Sequence, residues 1–356
     1  MSDRSARAAE TAETAAMRRA LELAATPGVP LGPNPRVGCV LLDDEGRTVA
    51  EGFHRGAGTA HAEADALARA GERARGTTAV VTLEPCNHTG RTGPCAQALV
   101  AACVRRVVHA QSDPNPVAAG GARTLRAAGV EVEGGLLADE ARELNRVWTF
   151  AVEHGRPFVT WKLATTLDWR SAAVDGTSRW VTSTAARRDT HRLRALADTM
   201  LVGTGTVLVD DPRLTVRDDQ DRELAQQPLR AVMGLRDIPA TSRVLDDAAE
   251  TVLLRTRDPR EALETLHQHD RQHVFLEGGP TLAAAFVRAG LVDEVVAYVA
   301  PFFLGAGLSS VGDLAITTIS DAWRPRVVDT TVLEPVVAGE PPNIRLTLQP
   351  DHREDH

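Results

Sequence analysis

Three residues with side chains that zinc prefers lie within residues 61–95. His61 is followed two positions later by Glu63, while Cys86 and Cys95 are separated by eight residues in the segment VTLEPCNHTGRTGPC. One imidazole and two thiolates suit tetrahedral zinc, and three protein ligands leave the fourth position open, as in catalytic sites. Glu63 is then the candidate for a carboxylate that moves protons beside the metal without binding it. The spacing predicts a catalytic zinc site that activates water.

The surrounding sequence predicts the elements that bring these residues together. The segment GTAHAEADALARAG reads as a helix with Thr59 as its N-cap and Gly71 at its end. TTAVVTLEP then reads as a buried strand that Pro85 stops, and Cys95 opens a further helix. His61 and Cys95 would therefore lie near helix N-termini, where the helix dipole favours an ionised thiolate.

Composition restricts the class of protein to which this site belongs. A length of 356 residues favours two domains, and 43% hydrophobic with 25% charged residues is ordinary for a globular protein. The net charge of −8 argues against a general nucleic-acid or membrane-surface binder, and no apolar run approaches the roughly 20 residues of a membrane span.

The use of cysteine points to the cytoplasm. The N-terminal segment has no apolar signal region, and four cysteines in so long a chain make a disulfide framework improbable. Metal binding or catalysis is then the better use of Cys86 and Cys95. Cys39, in an apolar strand, and Cys103, in an apolar helix, are predicted to be core residues.

The order of the motifs is that of the zinc nucleobase deaminases, in which H-x-E is followed by P-C-x-x-C. The longer loop LEPCNHTGRTGPC, together with PNPRVGCV and SDPNP (112–116), closely resembles the deaminase half of the bifunctional riboflavin-biosynthesis deaminase/reductase family. This resemblance covers nearly all of residues 15–150. It implies a cytidine-deaminase-like α/β/α sandwich in residues 1–150. It also implies a substrate, a 2,5-diaminopyrimidinone with a ribosylamino 5′-phosphate, which is deaminated to the aminouracil.

Further polar residues suit such a site by their own chemistry. Asn34 lies between two prolines and could present its amide to the edge of a pyrimidine, although a turn asparagine is an equally good interpretation. His54, His88 and Arg91 could receive a phosphorylated sugar. A polar loop exposed to water explains these three residues as well.

The sequence pattern changes near residue 150, and we place a domain boundary at 148–156. DTMLVGTGTVLVDDPRLTVR reads as a buried strand that enters a Gly-Thr-rich loop, and HVFLEGGPTLAAAFVRAG as strand, Gly-Gly, proline and a helix closed by Gly290. Gly278 and Gly279 let the backbone approach a ligand, and free N–H groups at the helix start can bind phosphates. The chain has no G-x-G-x-x-G pattern, so we predict no Rossmann domain.

Four segments of this half, WKLATTLD, SRWVTS, HRLRALADTMLVGTGTVLVDDPRLTVR and EGGPTLAAAFVRAGLVDEVVAYVAP, are similar to the reductase half of the same family. The similarity implies a dihydrofolate-reductase-like fold in residues 151–356. It further implies NADPH as cofactor and hydride transfer to C1′ of the sugar, which opens the ribosyl group to a ribityl chain.

The same resemblance assigns residues to ligands. The cofactor would contact Ala164, Trp180, Thr206, Asp210, Gly279, Pro280, Thr281, Leu282, Ala283, Ala284 and Ala285. The substrate would contact Ser178, Arg194, Leu214, Arg217 and Glu277. The two arginines make physical sense as partners of a ribose phosphate. Lys162 is predicted beside the sugar as an electrostatic or proton-handling group, the alternative being a strand-edge lysine.

Two departures from the family pattern affect the reductase half. The TLD segment normally continues with glycine, but here the next residue is Trp169, which we expect to adopt a negative φ in a different turn. Gly234 and Leu235 stand where the family often has an Asp-Ser pair, so a serine contact to the cofactor is lost.

The leading interpretation is a bifunctional enzyme of riboflavin synthesis that binds Zn²⁺, NADPH and a small phosphorylated pyrimidine. A second interpretation keeps the deaminase but gives it a related nucleobase substrate and an altered reductase domain. A third, from another class, is a zinc-stabilised structural or RNA-binding module, against which the acidic balance weighs. We expect no nucleic-acid or membrane partner, and we expect pairing into a homo-oligomer, dimer or tetramer, because folds of this kind commonly pair.

Overall fold

The computed structural model describes residues 11–30, 32–88 and 93–350. Contacts divide the chain into two compact units, Met1–Gly155 and Arg156–His356. Arg91, one of the predicted substrate residues, lies outside the described residues. Among the described residues, no helix has the length and apolar character that crossing a membrane requires.

The first unit is built on a five-stranded sheet with the order β2-β1-β3-β4-β5. The strands are β1 (Gly38–Leu42), β2 (Thr48–Phe53), β3 (Thr78–Leu83), β4 (Arg106–Gln111) and β5 (Glu131–Gly134). β1 pairs antiparallel with β2 and β3, whereas β3, β4 and β5 run parallel. The helices are α1 (Ala12–Ala24), α2 (Ala62–Ala70), α3 (Cys95–Ala101), α4 (Gly121–Ala127), α5 (Ala138–Leu144) and α6 (Arg146–His154).

Helices cover both faces of this sheet. Alternate residues of β1 enter two separate apolar clusters: Cys39 packs with α2, α3 and α4, while Val40 packs with α1 and α5. β3 is buried along its whole length, which explains why its sequence is apolar on both faces. The first unit is therefore the three-layer α/β/α sandwich that the sequence predicts.

Two local predictions for this unit are wrong. His61, and not Thr59, is the N-cap of α2, because the Thr59 hydroxyl donates to the Gly56 carbonyl in a preceding turn (2.8 Å). Cys103 is exposed, since α3 ends at Ala101 and Cys103 follows with a φ of 54°. Cys39 is buried, as predicted.

The second unit contains an eight-stranded sheet with the order β10-β9-β8-β11-β6-β12-β15-β14. Its strands are β6 (Phe158–Thr166), β8 (Thr199–Gly203), β9 (Leu229–Met233), β10 (Thr251–Leu254), β11 (His273–Leu276), β12 (Glu294–Ala300), β14 (Arg326–Leu333) and β15 (Asn343–Gln349). A small separate sheet pairs β7 (Arg170–Ala172) with β13 (Leu308–Ser309). The helices are α7 (Thr184–Arg194), α8 (Thr204–Asp210), α9 (Pro259–Gln268) and α10 (Pro280–Arg288).

The six strands from β10 to β12 are parallel, and β15 and β14 extend the sheet antiparallel. The main apolar cluster packs α9 and α10 against residues of β6, β8, β9 and β11, with Leu263 and Phe286 fully buried. In a parallel sheet the loops at the carboxyl ends of the strands share one edge and form the usual place for ligands. In this unit the junction of β8 with α8 and the loop from β11 to α10 lie at that edge. β8 passes directly into α8 at Thr204, so the predicted Gly-Thr-rich loop after this strand is wrong.

The prediction for Trp169 is wrong, because its φ is 57°. The Trp169 N–H donates to the Thr166 carbonyl (3.0 Å), and the Ser310 N–H donates to the Trp169 carbonyl (3.0 Å). Asp168 fixes the same turn, since its carboxylate accepts from the Thr166 hydroxyl (2.5 Å) and from the Gly305 N–H (2.7 Å). These hydrogen bonds hold tryptophan in a conformation that costs a non-glycine residue roughly 1–2 kcal/mol.

Candidate active sites

The three predicted metal ligands converge although they come from three different elements. His61 is the N-cap of α2, Cys86 lies three residues after β3, and Cys95 is the first residue of α3. Their ligand atoms all lie within 4.8 Å of one another, and Nδ1 of His61 is 3.3 Å from Sγ of Cys95 and 3.6 Å from Sγ of Cys86. An imidazole and two buried thiols at these separations fit a zinc ion with one open position.

Glu63 lies beside this group but is not part of it. It occupies the first turn of α2, is almost completely buried, and faces the same cavity as His61 and Cys86. Burial raises the pKa of Glu63 above the usual range of a carboxyl group. Glu63 therefore shares a cavity with two of the predicted metal ligands, His61 and Cys86.

The cavity over these residues has a volume of about 320 Å³ and is also lined by Asn34, His54 and His88. Nδ1 of His54 donates to the Ala60 carbonyl (2.9 Å), so its Nε2 accepts from Nδ2 of Asn34 (3.0 Å). Burial lowers the pKa of His54, which agrees with a neutral ring. This arrangement fixes the Asn34 amide and leaves its carbonyl oxygen as a possible acceptor for a ligand.

Sequence reasoning missed several polar residues of this cavity, namely Glu84, Asp113 and Asn115. Burial raises the pKa of Asp113 to about 6. The Glu84 carboxylate accepts from the N–H groups of Gly120 (3.2 Å) and Ala122 (3.0 Å) and so ties the start of α4 to the end of β3. Strand order could have indicated Asp113. This residue follows β4, and it lies next to the end of β3 because the two strands are parallel neighbours.

A second cavity, of about 720 Å³, lies in the second unit at the carboxyl ends of its parallel strands. Its lining includes about half of the residues predicted for the reductase, namely Lys162, Ala164, Ser178, Thr206, Asp210, Glu277, Gly279 and Pro280. Residues of the small β7–β13 sheet, such as Ser171 and Leu308, line it as well and were not predicted.

The other predicted residues lie elsewhere. Trp180 is exposed, with the Arg187 guanidinium 4.5 Å from its ring centre. Ala283 and Ala284 are buried in the core side of α10, so only their backbone could face a ligand. Thr281, Leu282 and Ala285 belong to the same helix, and Leu214, Arg194 and Arg217 do not line the second cavity.

One residue of this lining, Glu277, forms a largely buried ion pair with Arg194. The Arg194 guanidinium contacts both oxygens of Glu277, at 2.5 and 2.6 Å, and its third nitrogen donates to the Thr215 carbonyl (3.2 Å). Burial would raise the pKa of Glu277, but the charges of Arg194 and Lys162 outweigh it and hold the pKa at about 2. The hydrogen-bond donors of Arg194 are therefore occupied by the Glu277 carboxylate and the Thr215 carbonyl.

Lys162 is the only lysine among the 40 basic residues of the chain, a signal that our sequence reasoning overlooked. It lies on β6 facing the second cavity, and burial lowers the pKa of its ammonium group. Arginine cannot lose a proton in a protein, whereas a buried lysine can. Lys162 is therefore the one side chain among the Lys and Arg residues of this chain that could release a proton.

Arg217 lies on a short acidic hairpin, where it contacts the carboxylates of Asp221 (3.1 Å) and Glu223 (3.2 Å). The Gln227 amide fixes Val216, the residue before Arg217. Its oxygen accepts from the Val216 N–H (2.7 Å), and its nitrogen donates to the Val216 carbonyl (2.9 Å). A phosphate that binds Arg217 would have to replace these carboxylates.

Comparison with known proteins assigns both units. Residues 10–111 match the family described as the cytidine and deoxycytidylate deaminase zinc-binding region, and residues 157–335 match the RibD C-terminal domain. The riboflavin biosynthesis protein RibD of Mycobacterium tuberculosis is 52% identical over 293 residues, which cover 82% of this chain and 86% of that protein. RibD of Escherichia coli is 42% identical over 323 residues, covering 82% and 88%.

Solved structures agree with this assignment over 95% of the chain. Acinetobacter baumannii RibD matches with a TM-score of 0.86 at 38% identity, covering 95% of this chain and 99% of the other. A diaminohydroxyphosphoribosylaminopyrimidine deaminase/5-amino-6-(5-phosphoribosylamino)uracil reductase from Thermotoga maritima matches with a TM-score of 0.82 at 30% identity and the same coverage. The predicted two-part fold is confirmed, and nothing favours the altered-substrate or RNA-binding interpretations. The chain belongs to the RibD family and is a riboflavin-biosynthesis enzyme with a deaminase domain and a reductase domain.

Proposed function

We propose that residues 1–150 deaminate 2,5-diamino-6-(5-phosphoribosylamino)pyrimidin-4-one with zinc, and that residues 151–356 then reduce the ribosyl group to ribityl with NADPH. The observation that carries this proposal is the convergence of His61, Cys86 and Cys95 within 4.8 Å, with the buried Glu63 facing the same cavity. Structural zinc sites are usually closed by a fourth protein ligand. A three-ligand group that opens into a cavity supports hydrolysis.

In the deaminase site each residue has a separate task. Zinc held by His61, Cys86 and Cys95 would supply an activated water. Glu63 carries the proton from this water to the ring nitrogen and then to the departing amine, for which its buried carboxyl group is suited. The Asn34 carbonyl oxygen accepts an N–H from the edge of the pyrimidine, and His54 keeps the amide in that orientation.

In the reductase site the protein supplies position and charge, and NADPH supplies the hydride. When hydride adds to C1′, the bond from C1′ to the ring oxygen breaks, and that oxygen requires one proton. Lys162 is the proposed donor, because it lines the cavity and burial lowers the pKa of its ammonium group. Glu277, fixed by Arg194, accepts a hydrogen bond from a ribose hydroxyl and keeps the sugar beside Lys162.

We also propose a cytoplasmic homo-oligomer whose partners are small molecules. Cys39, Cys86, Cys95 and Cys103 are all free thiols, which suits a reducing compartment. The sheet of the second unit ends in β14, an edge strand with exposed Val327 and Val332, and such an edge supports pairing with a second copy. Light scattering after size exclusion measures the number of copies.

Turnover of the diaminopyrimidinone phosphate tests the proposed function. The zinc-loaded protein should release ammonia without NADPH and should oxidise NADPH only after ammonia has been released. Aminouracil phosphate supplied directly should support NADPH oxidation without ammonia. Release of no ammonia by zinc-loaded protein would contradict the proposal.

A further inference from the structure

The loop that follows β9 begins with Gly234, a position that requires glycine. Gly234 directly follows β9 and has a φ of 140°. A Cβ atom at this position would lie 2.7 Å from Oγ1 of Thr204, the first residue of α8. The loop after β9 is thereby packed against the start of α8.

Two residues further on, Arg236 lies over the backbone of Gly205. Its Nη2 is only 2.8 Å from the place that a Cβ atom of Gly205 would occupy, so a side chain at Gly205 would displace the guanidinium. Arg255 fixes the loop from the other side, because its Nη1 donates to the Arg236 carbonyl (3.3 Å). The two glycines and Arg255 thus give Arg236 a defined place.

The Arg236 guanidinium has no hydrogen-bond or ion-pair partner within the part of the chain that the structure describes. The adjacent carboxylate, Asp237, is 2.8 Å from Nη2 of Arg255 and is therefore taken. Arg236 is exposed, so its positive charge is available to a ligand from solvent. It differs in this respect from Arg194 and Arg217, which both contact carboxylates.

This free charge lies beside a segment of α8 that reaches the second cavity. Gly205 precedes Thr206, which lines the cavity, and a Cβ atom on Gly279 would lie 3.7 Å from Oγ1 of Thr206. The starts of α8 and α10 therefore face each other, and Arg236 lies beside them. β8 and β9 are parallel neighbours, and Gly203 pairs with Met233 at their carboxyl ends. The loop after β9 therefore lies at the same sheet edge as the rest of the site.

We propose that Arg236 binds the 2′-phosphate of NADPH and makes the reductase prefer NADPH to NADH. The proposal rests on the proposed function, which places the nicotinamide cofactor in this cavity. The two cofactors differ by one phosphate group, which is dianionic near neutral pH, and a planar guanidinium is the side chain best suited to it. An unpaired arginine at the edge of the cavity supplies that recognition.

Nucleotide binding to the full-length, zinc-loaded protein tests this assignment without turnover. We would compare the parent with Arg236→Ala and with Arg260→Ala, a control that removes an exposed arginine whose guanidinium contacts the Ala289 carbonyl at the far end of α10. Titration followed by nicotinamide fluorescence gives the Kd of NADPH and of NADH for each protein. Urea unfolding followed by tryptophan fluorescence reports whether the second unit of each variant is folded.

In Arg236→Ala the Kd of NADPH should rise roughly 10- to 100-fold, the usual range for loss of a charge-assisted contact, while the Kd of NADH stays within about twofold. Arg236→Lys should recover part of the preference, and Arg260→Ala should change neither constant. An equal rise in the Kd of NADPH and of NADH would indicate that Arg236 contacts the pyrophosphate that both share, and would overturn the proposal. An unchanged Kd for NADPH would overturn it as well. A parent protein that binds neither nucleotide would contradict the proposed reductase function itself.

Discussion

The two cavities each contain a partly buried carboxyl group, and the protein shifts the pKa values of the two groups in opposite directions. In the first unit, burial raises the pKa of Asp113 to about 6, and Asp113 has no ion pair within the described residues. In the second unit, the charges of Arg194 and Lys162 outweigh burial and hold the pKa of Glu277 at about 2. Both carboxyl groups line a cavity, so position alone does not decide their state.

The difference corresponds to the chemistry of each site. Deamination consumes and releases protons, and an acid whose pKa lies near neutral pH can exchange them. Reduction takes its hydride from NADPH, so the second site needs fixed charges that hold an anionic substrate and a cofactor. The first site is built for proton transfer, whereas the second is built mainly for binding and orientation.

Removing the fixed carboxylate should have the largest effect. In Glu277→Gln the Arg194 and Lys162 charges stay buried without compensation, which typically costs roughly 3–5 kcal/mol in the free energy of unfolding. Because the pKa of Glu277 is about 2 and that of an unfolded glutamate about 4.3, its contribution is complete above pH 4.3 and is lost as the pH falls towards 2. Urea unfolding followed by tryptophan fluorescence should therefore show a constant loss from pH 7 to pH 5.

Arg192→Ala is the matched control for this experiment. Arg192 is an exposed residue on the same helix as Arg194 and pairs with Asp189. Because Asp189 also contacts Arg345 and accepts from the Tyr298 hydroxyl, it keeps partners when Arg192 is removed, and we expect this loss to cost less than about 1 kcal/mol. A Glu277→Gln variant as stable as the parent would show that the ion pair is not a fixed structural charge, and the comparison between the sites would fail.

Replacing Glu63, the proposed proton carrier of the first site, should impair one reaction only. Glu63→Gln should slow ammonia release at least about 100-fold, since it keeps the shape of the side chain but removes the carboxylate. Zinc content should remain near one per chain, because Glu63 is not a ligand, whereas Cys86→Ser should lose zinc. Reduction of supplied aminouracil phosphate should continue near the parent rate. If Glu63→Gln stops reduction in folded protein, the two sites are not independent.

The sequence predicted the first site better than the second for a geometrical reason. His61, Cys86 and Cys95 stand at the ends of local elements whose order along the chain already places them together, so spacing alone identified them. Asp113 was not predicted, because its closeness to the predicted metal ligands depends on which strands are neighbours in the sheet. Spacing along the chain does not specify that order.

The second site is assembled from distant segments. Arg194 and Glu277 are 83 positions apart, and no local pattern links them. Only resemblance to the family placed them in one site, and it gave no indication that Arg194 would hold Glu277. The positive φ of Trp169 was missed for a similar reason, because Ser310 and Gly305, which fix its turn, come from a remote loop.

The single lysine tests whether the second site also moves a proton. Lys162→Arg keeps the positive charge beside Glu277 but removes the ability to release a proton. We expect reduction of aminouracil phosphate to fall roughly 10- to 100-fold while ammonia release is unchanged. NADPH binding measured by fluorescence separates a loss of affinity from a loss of proton transfer. A fully active Lys162→Arg would show that only charge is required, which would sharpen the contrast between the two sites.

The smallest effect is expected at Asp113, where the sign of the change is informative. A carboxyl group whose pKa is raised from about 3.9 to about 6 opposes folding once it is ionised, and this cost develops between pH 4 and pH 6. Asp113→Asn removes the charge but keeps an oxygen that can accept the Asn115 N–H (2.9 Å in the parent). The variant should therefore be more stable than the parent at pH 7.5, by of order 1 kcal/mol once partial exposure is allowed for, and nearly equal to it at pH 4.

Urea midpoints at the two pH values measure this difference, and ammonia release measures what the acid contributes. A variant that gains stability at pH 7.5 and loses deamination would show that the first site retains a destabilising acid because its reaction needs one, as expected where activity and stability conflict. A variant that is less stable than the parent at pH 7.5 would mean that the Asp113 carboxylate is favourably solvated or paired. The two carboxyl groups would then no longer differ in kind, and the distinction between a proton-transfer site and a binding site would have to rest on Glu63 and Lys162 alone.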